Sequence, residues 1–141
     1  MKSVYLAGPF FNENEIKNIE CAEKILGVRG LDLFSPMRHG AAAEYGTAEW
    51  AEEIFETDRA AIEKSDLVVA LYYGSTSDSG TAWECGYATA LGKPVVLVHM
   101  DRNDDSNVML HVSAATNIYF DSLADYDFEH MPVFGFEGKM F

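Results

Sequence analysis

Two apolar segments on either side of a helix-forming stretch constrain the fold of this chain most strongly. Residues 67–72 read Leu-Val-Val-Ala-Leu-Tyr, and residues 94–100 form a second, mostly apolar run. Continuous apolar strands are typical of parallel sheets with helices on both faces, whereas a sheet with one wet face alternates apolar and polar residues. Residues 81–91 have a helical composition and are followed by Gly92, a common helix stop. The segment therefore predicts a strand, helix and strand within a parallel sheet.

The same alternation extends along the chain. Further strands are expected at residues 3–7, 31–35 and 118–120, and further helices at residues 12–29, 47–64 and 107–114. In the helix of residues 47–64, Trp50, Phe55 and Ile62 are expected on the buried face. The 141 residues are 48% apolar, which suits one domain over residues 1–141. We predict an α/β fold: an open, mostly parallel five-stranded sheet with helices on both faces, Rossmann-like or flavodoxin-like.

The charge of the chain limits its partners and location. The formal net charge of −13, from 23 acidic and 10 basic residues, predicts a surface that repels a phosphate backbone. No apolar run approaches the roughly 20 residues that cross a membrane, and the N-terminus lacks the apolar stretch of about 7–15 residues of a secretory signal. Cys21 and Cys85 lack CxxC spacing. We therefore expect a cytoplasmic protein with reduced cysteines and no nucleic-acid or membrane partner.

Acidic side chains gather where a ligand would bind such a sheet. In open parallel sheets ligands bind beyond the carboxyl ends of the strands, near the point where strand order reverses. Three predicted loops meet there, at residues 8–11, 74–80 and 101–107. Asp78 precedes Glu84 by six residues, and Asp58 lies near the end of the preceding helix. These spacings can bring several carboxylates to the rim of one cleft.

A set of carboxylates around one cleft suits glycosidic chemistry, in which one attacks carbon and another group handles the proton of the leaving group. Glu84 is expected near a helix N-terminus, where the macrodipole keeps a carboxylate ionised, as a nucleophile requires. Acids are also normal as helix caps and surface residues. The spacing alone leaves both interpretations open.

Other chemistries find less support in the sequence. Neither GxGxxG nor GxxxxGK[ST] occurs, which removes the main support for a dinucleotide or P-loop site. The acidic residues 101–105 lack the glycine and the distant glutamate of an EF-hand. The histidines have no ligand spacing, so no metal site is expected. Cys85 is expected to pack within its helix because no histidine stands at a helical offset to activate it.

Five ordered segments carry a resemblance to a known family. They are Tyr5 to Phe11, Asp58 with Asp66, Asp78 to Ala88, Gly92-Lys93-Pro94 and Asn107-Val108-Met109. The third, Asp-Ser-Gly-Thr-Ala-Trp-Glu-Cys-Gly-Tyr-Ala, is the most specific. Over nearly its whole length the chain resembles the nucleoside 2-deoxyribosyltransferases.

The resemblance implies chemical roles for three residues. Glu84 would be the nucleophile, Asp58 would assist protonation of the base, and Tyr5 would orient Glu84 through its phenol. The implied reaction exchanges the base of a 2′-deoxyribonucleoside for a free nucleobase through a covalent deoxyribosyl-Glu84 intermediate, with net retention and no cofactor.

The resemblance also implies the residues that hold the substrate. Asp78 would hold sugar hydroxyls, and the loop containing Gly8, Phe10 and Phe11 would bind the base, which aromatic rings can stack against. Asn107 and Met109 resemble residues that family members offer to the active site of a neighbouring subunit. We therefore expect a homo-oligomer that is built from dimers, for example a hexamer. Each active site is expected to contain residues of two subunits.

The chain departs from the family pattern at two places. Family members can present an amide to the base in the loop after the second strand, where this chain has Arg38, His39 and Gly40. Exchange of purines alone and exchange of purines and pyrimidines both stay open. Family members often end in Tyr, whereas this chain ends in Phe141 and lacks that hydroxyl.

Two other functions are compatible with parts of the pattern. A hydrolase (N-glycosidase) of 2′-deoxynucleoside 5′-monophosphates would need a cationic or N–H-rich phosphate site, and the matched motifs contain no Lys or Arg cluster. A non-catalytic nucleotide-sensing module would not need Tyr5, Asp58, Asp78 and Glu84 together. Base exchange is the preferred prediction.

Overall fold

The computed structural model describes residues 2–141, in which five strands alternate with four α-helices. The strands are β1 (Ser3–Ala7), β2 (Asp32–Phe34), β3 (Leu67–Tyr72), β4 (Val95–His99) and β5 (Thr116–Tyr119). The α-helices are α1 (Glu13–Val28), α2 (Ala48–Lys64), α3 (Ser79–Ala90) and α4 (Val108–Ser113). Every predicted strand and helix is present, with bounds that differ by at most two residues at either end.

All strand pairs are parallel, in the order β2-β1-β3-β4-β5. The predicted open, parallel α/β sheet is therefore confirmed. The chain first moves outward from β1 to β2 and then returns to add β3 on the other side of β1. The loops after β1 and β3 diverge at this switch point, which is where ligands generally bind in open parallel sheets.

Helices cover both faces of the sheet, which explains why the central strands are apolar throughout. On one face Ile19, Ala22 and Leu26 of α1 pack against the sheet, together with residues that follow β5. The other face buries Ile62 of α2 and Cys85 of α3 against Tyr5, Val68 and Leu97. Within residues 2–141 no helix is long and apolar enough to cross a bilayer.

Polar side chains fix where the helices begin. Asn12, Thr47, Asp78 and Asn107 each accept a hydrogen bond from a backbone N–H in the first turn of the following helix. Such caps satisfy amide groups that have no partner within the helix. Because Asp78 is the cap, α3 begins at Ser79, two residues earlier than the composition predicts.

The predicted buried face of α2 is only partly correct. Ile62 is fully buried, but Phe55 is 47% exposed and packs against Trp83 of α3, with ring centroids 5.5 Å apart. A helix of 17 residues is about 25 Å long, whereas a five-residue strand spans about 17 Å. The N-terminal part of α2 therefore reaches past the sheet that would bury it.

Candidate active site

The carboxyl group of Glu84 lies against the phenol of Tyr5. Tyr5 is a fully buried residue of β1, and its hydroxyl donates a hydrogen bond to Oε2 of Glu84. Burial and the negative charge of Glu84 raise the pKa of Tyr5 above its usual range, so the phenol keeps its proton. The sheet thus supplies a rigid donor that fixes one carboxylate oxygen of an α3 side chain.

Glu84 is harder to ionise than an exposed glutamate. Burial raises its pKa to about 7; the hydrogen bond from Tyr5 opposes the rise, and the charges of Asp58 and Asp78 add to it. The sequence-based expectation that the helix dipole keeps Glu84 ionised is wrong. Glu84 lies in the second turn of α3, which begins at Ser79, and the dipole acts mainly within the first turn. Desolvation therefore dominates over the dipole.

Asp58 joins the same cluster from α2. Burial raises the pKa of its carboxyl to about 6, and the electrostatic effect of nearby His39 partly offsets the rise. The charge of Asp58 in turn raises the pKa of both Tyr5 and Glu84. The structure therefore brings together the three residues to which the family resemblance gives catalytic roles. A carboxyl group that still holds its proton near pH 6 is suited to give that proton to a leaving base.

Sequence reasoning missed an aromatic column beside this cluster. Phe34, the last residue of β2, stacks on Tyr5 with ring centroids 5.6 Å apart. His39 also stacks on Phe34, with ring centroids 4.2 Å apart and ring planes inclined by 9°. Arg38 points elsewhere, since its guanidinium binds both carboxylate oxygens of Glu23. The sequence contains one sign that Phe34 could belong to the site, which is its position as an aromatic residue at the carboxyl end of a predicted strand.

Asp78 has a structural task within its own chain. Its two oxygens accept hydrogen bonds from the backbone N–H of Thr81 at 3.1 Å and from the hydroxyl of Thr81 at 2.6 Å. Each carboxylate oxygen can accept a further bond. Asp78 can therefore cap α3 and hold a sugar hydroxyl at the same time, and its sugar contact stays a prediction.

The loop after β1 presents two aromatic rings at the carboxyl edge of the sheet. Gly8 has φ of +154°, and a Cβ there would lie 3.1 Å from Cβ of Leu71, so a side chain would crowd the turn. Phe10 and Phe11 stack on each other at 6.3 Å and are 39% and 79% exposed. These rings have apolar faces free to cover a planar base.

Asn107 and Met109 lie on the other flank of α3. With Phe141 they line a cleft of about 600 Å³ between α3 and α4, which the α3 residues Ala82 and Gly86 also face. Residues two apart on a helix point in nearly opposite directions, so Glu84 faces away from this cleft. The structure does not bring Asn107 or Met109 to Glu84 of the same chain.

Two other candidate groups do not form a reactive centre. Burial raises the pKa of the Cys85 thiol to about 12, so the thiol stays protonated and is a poor nucleophile at neutral pH. In the part of the chain that the structure describes, no three His, Cys, Asp or Glu side chains are arranged to hold a metal ion. The reactive groups of the cluster are thus two carboxyls and a phenol.

Comparison with known proteins assigns the chain to a family. The sequence profile described as Nucleoside 2-deoxyribosyltransferase matches residues 4–122. This chain belongs to the nucleoside 2-deoxyribosyltransferase family. A nucleoside deoxyribosyltransferase of Limosilactobacillus fermentum is 32% identical over 145 residues, which span 90% of this chain and 86% of the relative. One from Lactobacillus johnsonii is 30% identical over 95 residues, or 66% of this chain and 64% of the relative.

Solved structures agree with the family assignment. The 2-deoxyribosyltransferase of Bacillus psychrosaccharolyticus is 32% identical to this chain, with a TM-score of 0.88 over 96% of this chain and 99% of that chain. A CMP N-glycosidase of Clostridium botulinum, 23% identical with a TM-score of 0.62 over 89% and 95% of the two chains, shares the fold. The nucleoside 2-deoxyribosyltransferases are enzymes, so the acidic cluster stands within a transferase family.

Proposed function

We propose that this chain exchanges the base of 2′-deoxyribonucleosides by using Glu84 as a nucleophile that forms a covalent deoxyribosyl ester. The contact between Tyr5 and Glu84 carries the proposal. Tyr5 engages Oε2, which leaves Oε1 to face the substrate in a fixed direction. A held but partly desolvated carboxylate suits attack on carbon because less water must be removed from it during reaction.

The reaction proceeds in two displacements at the same sugar carbon. Oε1 of Glu84 attacks C1′ of the deoxyribose, the C1′–N bond breaks, and the bond's electron pair leaves with the base. Asp58 gives its proton to a nitrogen or oxygen of that base. A second base then attacks C1′, the ester bond to Glu84 breaks, and the proton of the incoming nitrogen returns to Asp58. Two inversions give net retention.

The two carboxyls share the work because their environments differ. Attack requires ionised Glu84, and base protonation requires protonated Asp58. Their pKa values, about 7 and about 6, are close enough that both carboxyls titrate as a coupled pair. The substrate-ready form, with one proton on Asp58, is therefore a minority form at every pH in the free enzyme.

The chemistry of the proposed reaction also favours deoxyribose. Each displacement passes through an oxocarbenium-like state, which an electron-withdrawing 2′-hydroxyl destabilises. The ester intermediate must be kept from water. Phe34 stacks on Tyr5, the partner of Glu84, and Phe10 and Phe11 stack on each other in the loop after β1, so these rings can supply apolar cover once substrate is bound. Ribonucleosides are therefore poor substrates in this proposal, and free base competes well with water.

A second copy of the chain completes the site. Met109 is 77% exposed, and it lies with Asn107 beside a cleft that Ala82 and Gly86 leave open. Asn107 and Met109 do not reach Glu84 of their own chain, so the roles that the family resemblance gives them require a partner, and an isologous dimer gives each subunit the same contribution from the other. Asn107 and Met109 of one subunit then reach the Glu84 cluster of its partner, in a homo-oligomer built from such dimers.

The fold likeness to a CMP N-glycosidase raises hydrolysis of nucleoside monophosphates as a second candidate. Such a substrate needs a free cation or a cluster of N–H groups for its phosphate. Arg38, which precedes His39 in the sequence, is occupied by Glu23 at 2.6 Å and lies 3.8 Å from Glu20. Its engagement by carboxylates favours a neutral nucleoside over a phosphorylated one.

An exchange assay separates these functions. The protein is incubated with a 2′-deoxyribonucleoside and a different free base, in a panel of purines and pyrimidines, and the products are separated by chromatography. We expect a new nucleoside and the released first base in equal amounts. Glu84→Gln should remove exchange by several orders of magnitude, whereas Glu63→Gln, a surface substitution of the same kind, should not. Free sugar without a new nucleoside would indicate a hydrolase, and no turnover would refute catalysis.

Subunit mixing tests the shared site. Glu84→Ala and Asn107→Ser should each be nearly inactive, and Ser at 107 keeps an oxygen that can cap α4. In a mixed dimer one site carries both lesions and the other carries neither, so activity should return when the variants are co-expressed with different affinity tags and the mixed species is purified. A mixed oligomer without activity would show that Asn107 acts within its own chain.

A further inference from the structure

The last residues of the chain form a strap over β5 and the start of α4. We define the C-terminal strap as residues 134–141. At its beginning, the carbonyl of Phe134 accepts the backbone N–H of Asn117 at 2.9 Å. At its end, the backbone carbonyl of Lys139 accepts a hydrogen bond from the N–H of Ser106 at 2.9 Å, and the carbonyl of Phe141 accepts one from the N–H of Val108 at 2.9 Å. The strap therefore bonds to both residues that flank Asn107.

Phe136 anchors the strap between two imidazole rings. Its ring stacks on His99 with centroids 4.5 Å apart and lies 5.1 Å from the ring of His111. Both histidines are buried, at 2% and 7% exposure. Gly138 closes over the ring, since a Cβ at that position would lie only 2.5 Å from Cζ of Phe136. The partly buried ring of Phe136 is thus held between the two histidines and Gly138.

The two histidines are themselves held in place. Nε2 of His99 is 2.9 Å from Oδ1 of Asn117, and the amide of Asn117 donates to the carbonyl of His111 at 3.0 Å. Nδ1 of His111 is 2.8 Å from the hydroxyl of the fully buried Ser106. A buried polar network of this kind holds a single arrangement because any displacement leaves a polar group without its partner. The network ends next to Asn107.

Asn107 is consequently held by several groups at once. Its backbone N–H donates to the phenol of Tyr72 at 2.9 Å, and its side chain caps α4 through the N–H of Met109 at 2.9 Å. The flanking residues Ser106 and Val108 bond to the strap. Phe141, at the end of the strap, lines the same cleft as Asn107. The location of the Asn107 side chain therefore depends on how the strap is seated.

We propose that Phe136 is a positioning residue, which seats the C-terminal strap on His99 and His111 and thereby fixes Asn107 for the active site of a partner subunit. The inference rests on the proposed function, in which Asn107 completes a partner's site. Phe136 contacts no reacting atom. Its effect is carried by the bonds that the strap makes on either side of Asn107.

Two substitutions loosen the seat in different ways. Phe136→Ala removes the anchor, and Gly138→Ala places a methyl group against the ring and displaces it. Gly135→Ala is the matched control, because a Cβ there meets no atom within 4 Å. Small displacements of a positioning group cost on the order of ten- to a hundred-fold in rate. We expect such a fall in kcat/KM for the first two variants and an unchanged value for the control.

Subunit mixing distinguishes positioning of a partner's site from damage to the protein's own site. In a mixed oligomer of Phe136→Ala and Glu84→Ala, one site pairs an intact Glu84 with an intact strap, so activity should return. Phe136→Ala mixed with Asn107→Ser should stay inactive, because in every site Asn107 is either replaced or held by a loosened strap. Thermal unfolding of each variant confirms that it is folded, and Gly138→Ala replaces Phe136→Ala if the latter is not.

The outcomes are separable from those of the proposed function. If Glu84→Ala and Asn107→Ser restore each other but Phe136→Ala and Glu84→Ala do not, Phe136 acts within its own chain and the inference is overturned. If neither pair restores activity, the shared site itself is refuted, and the inference falls with it. Normal kcat/KM in both strap variants would also overturn it.

Discussion

Replacing Tyr5 by Phe isolates the hydrogen bond that holds Glu84. The phenol donates to Oε2 of Glu84 and lowers the pKa of that carboxyl against the opposing effect of burial. Tyr5 is fully buried, and Phe keeps the ring and its stacking on Phe34, so the fold should survive. Without the donor, the ionised form of Glu84 loses stabilisation, and its pKa should rise.

The size of the rise follows from the strength of the bond. A hydrogen bond to a charged group contributes about 1.5–3 kcal/mol, and one pKa unit corresponds to about 1.4 kcal/mol. The pKa of Glu84 should therefore rise from about 7 by about one to two units. Below pH 6, where Asp58 is mostly protonated, kcat/KM depends on the ionised fraction of Glu84 and should fall about ten- to a hundred-fold. At high pH this loss should disappear, since Glu84 is then ionised in both proteins.

Two measurements check this prediction. The carboxyl carbons of ¹³C-labelled glutamates are titrated by NMR, with the Glu84 signal identified by its absence in Glu84→Gln. The pH dependence of kcat/KM is recorded for the same proteins. Tyr87→Phe is the control, because its phenol donates to Glu63 on the surface. An unchanged pKa of Glu84, or a loss of kcat/KM that is equal at all pH values, would refute the reasoning.

Three further predictions concern the same cluster. Asp58→Asn should lower the pKa of Glu84 in the ¹³C titration, because it removes a nearby negative charge, and should slow base release in single-turnover experiments. Glu84→Gln should unfold at a higher temperature than the parent at pH 8 and at the same temperature at pH 4. The carboxyl of Glu84 has a pKa of about 7 in the native state and about 4.5 in the unfolded state. As the pH rises from 4.5 to 7, the free energy of unfolding of the parent therefore falls by up to about 3 kcal/mol, whereas Gln does not titrate. Ribonucleosides should react orders of magnitude more slowly than 2′-deoxyribonucleosides in the exchange assay, and equal rates would contradict the oxocarbenium argument.

Much of the fold could be predicted because its signals are local. The apolar residues of β3 and β4 require cover on both faces, and this alone predicts a parallel sheet with flanking helices. Thr47 identifies the start of α2 by the ordinary chemistry of a helix cap. The acids that meet at the carboxyl edge follow from the same topology, since the loops after β1 and β3 must diverge there.

The remainder depends on distances that a sequence does not contain. The helix dipole and burial act on Glu84 in opposite directions, and only its depth in the fold shows that burial dominates. The column of Tyr5, Phe34 and His39 joins three elements whose residues show no common pattern. The contacts of Phe136 with His99 and His111 likewise depend on where the irregular tail returns to the sheet.

A covalent deoxyribosyl ester on Glu84 is the central claim, and mass spectrometry of the stalled enzyme tests it most directly. The protein is mixed with a 2′-deoxyribonucleoside without an acceptor base, quenched within the first turnover and digested. We expect one added deoxyribosyl group on the peptide that contains Glu84, its absence in Glu84→Gln, and its loss when a second base is added before the quench. Base exchange that proceeds with no adduct, or with an adduct on another residue, would contradict the account.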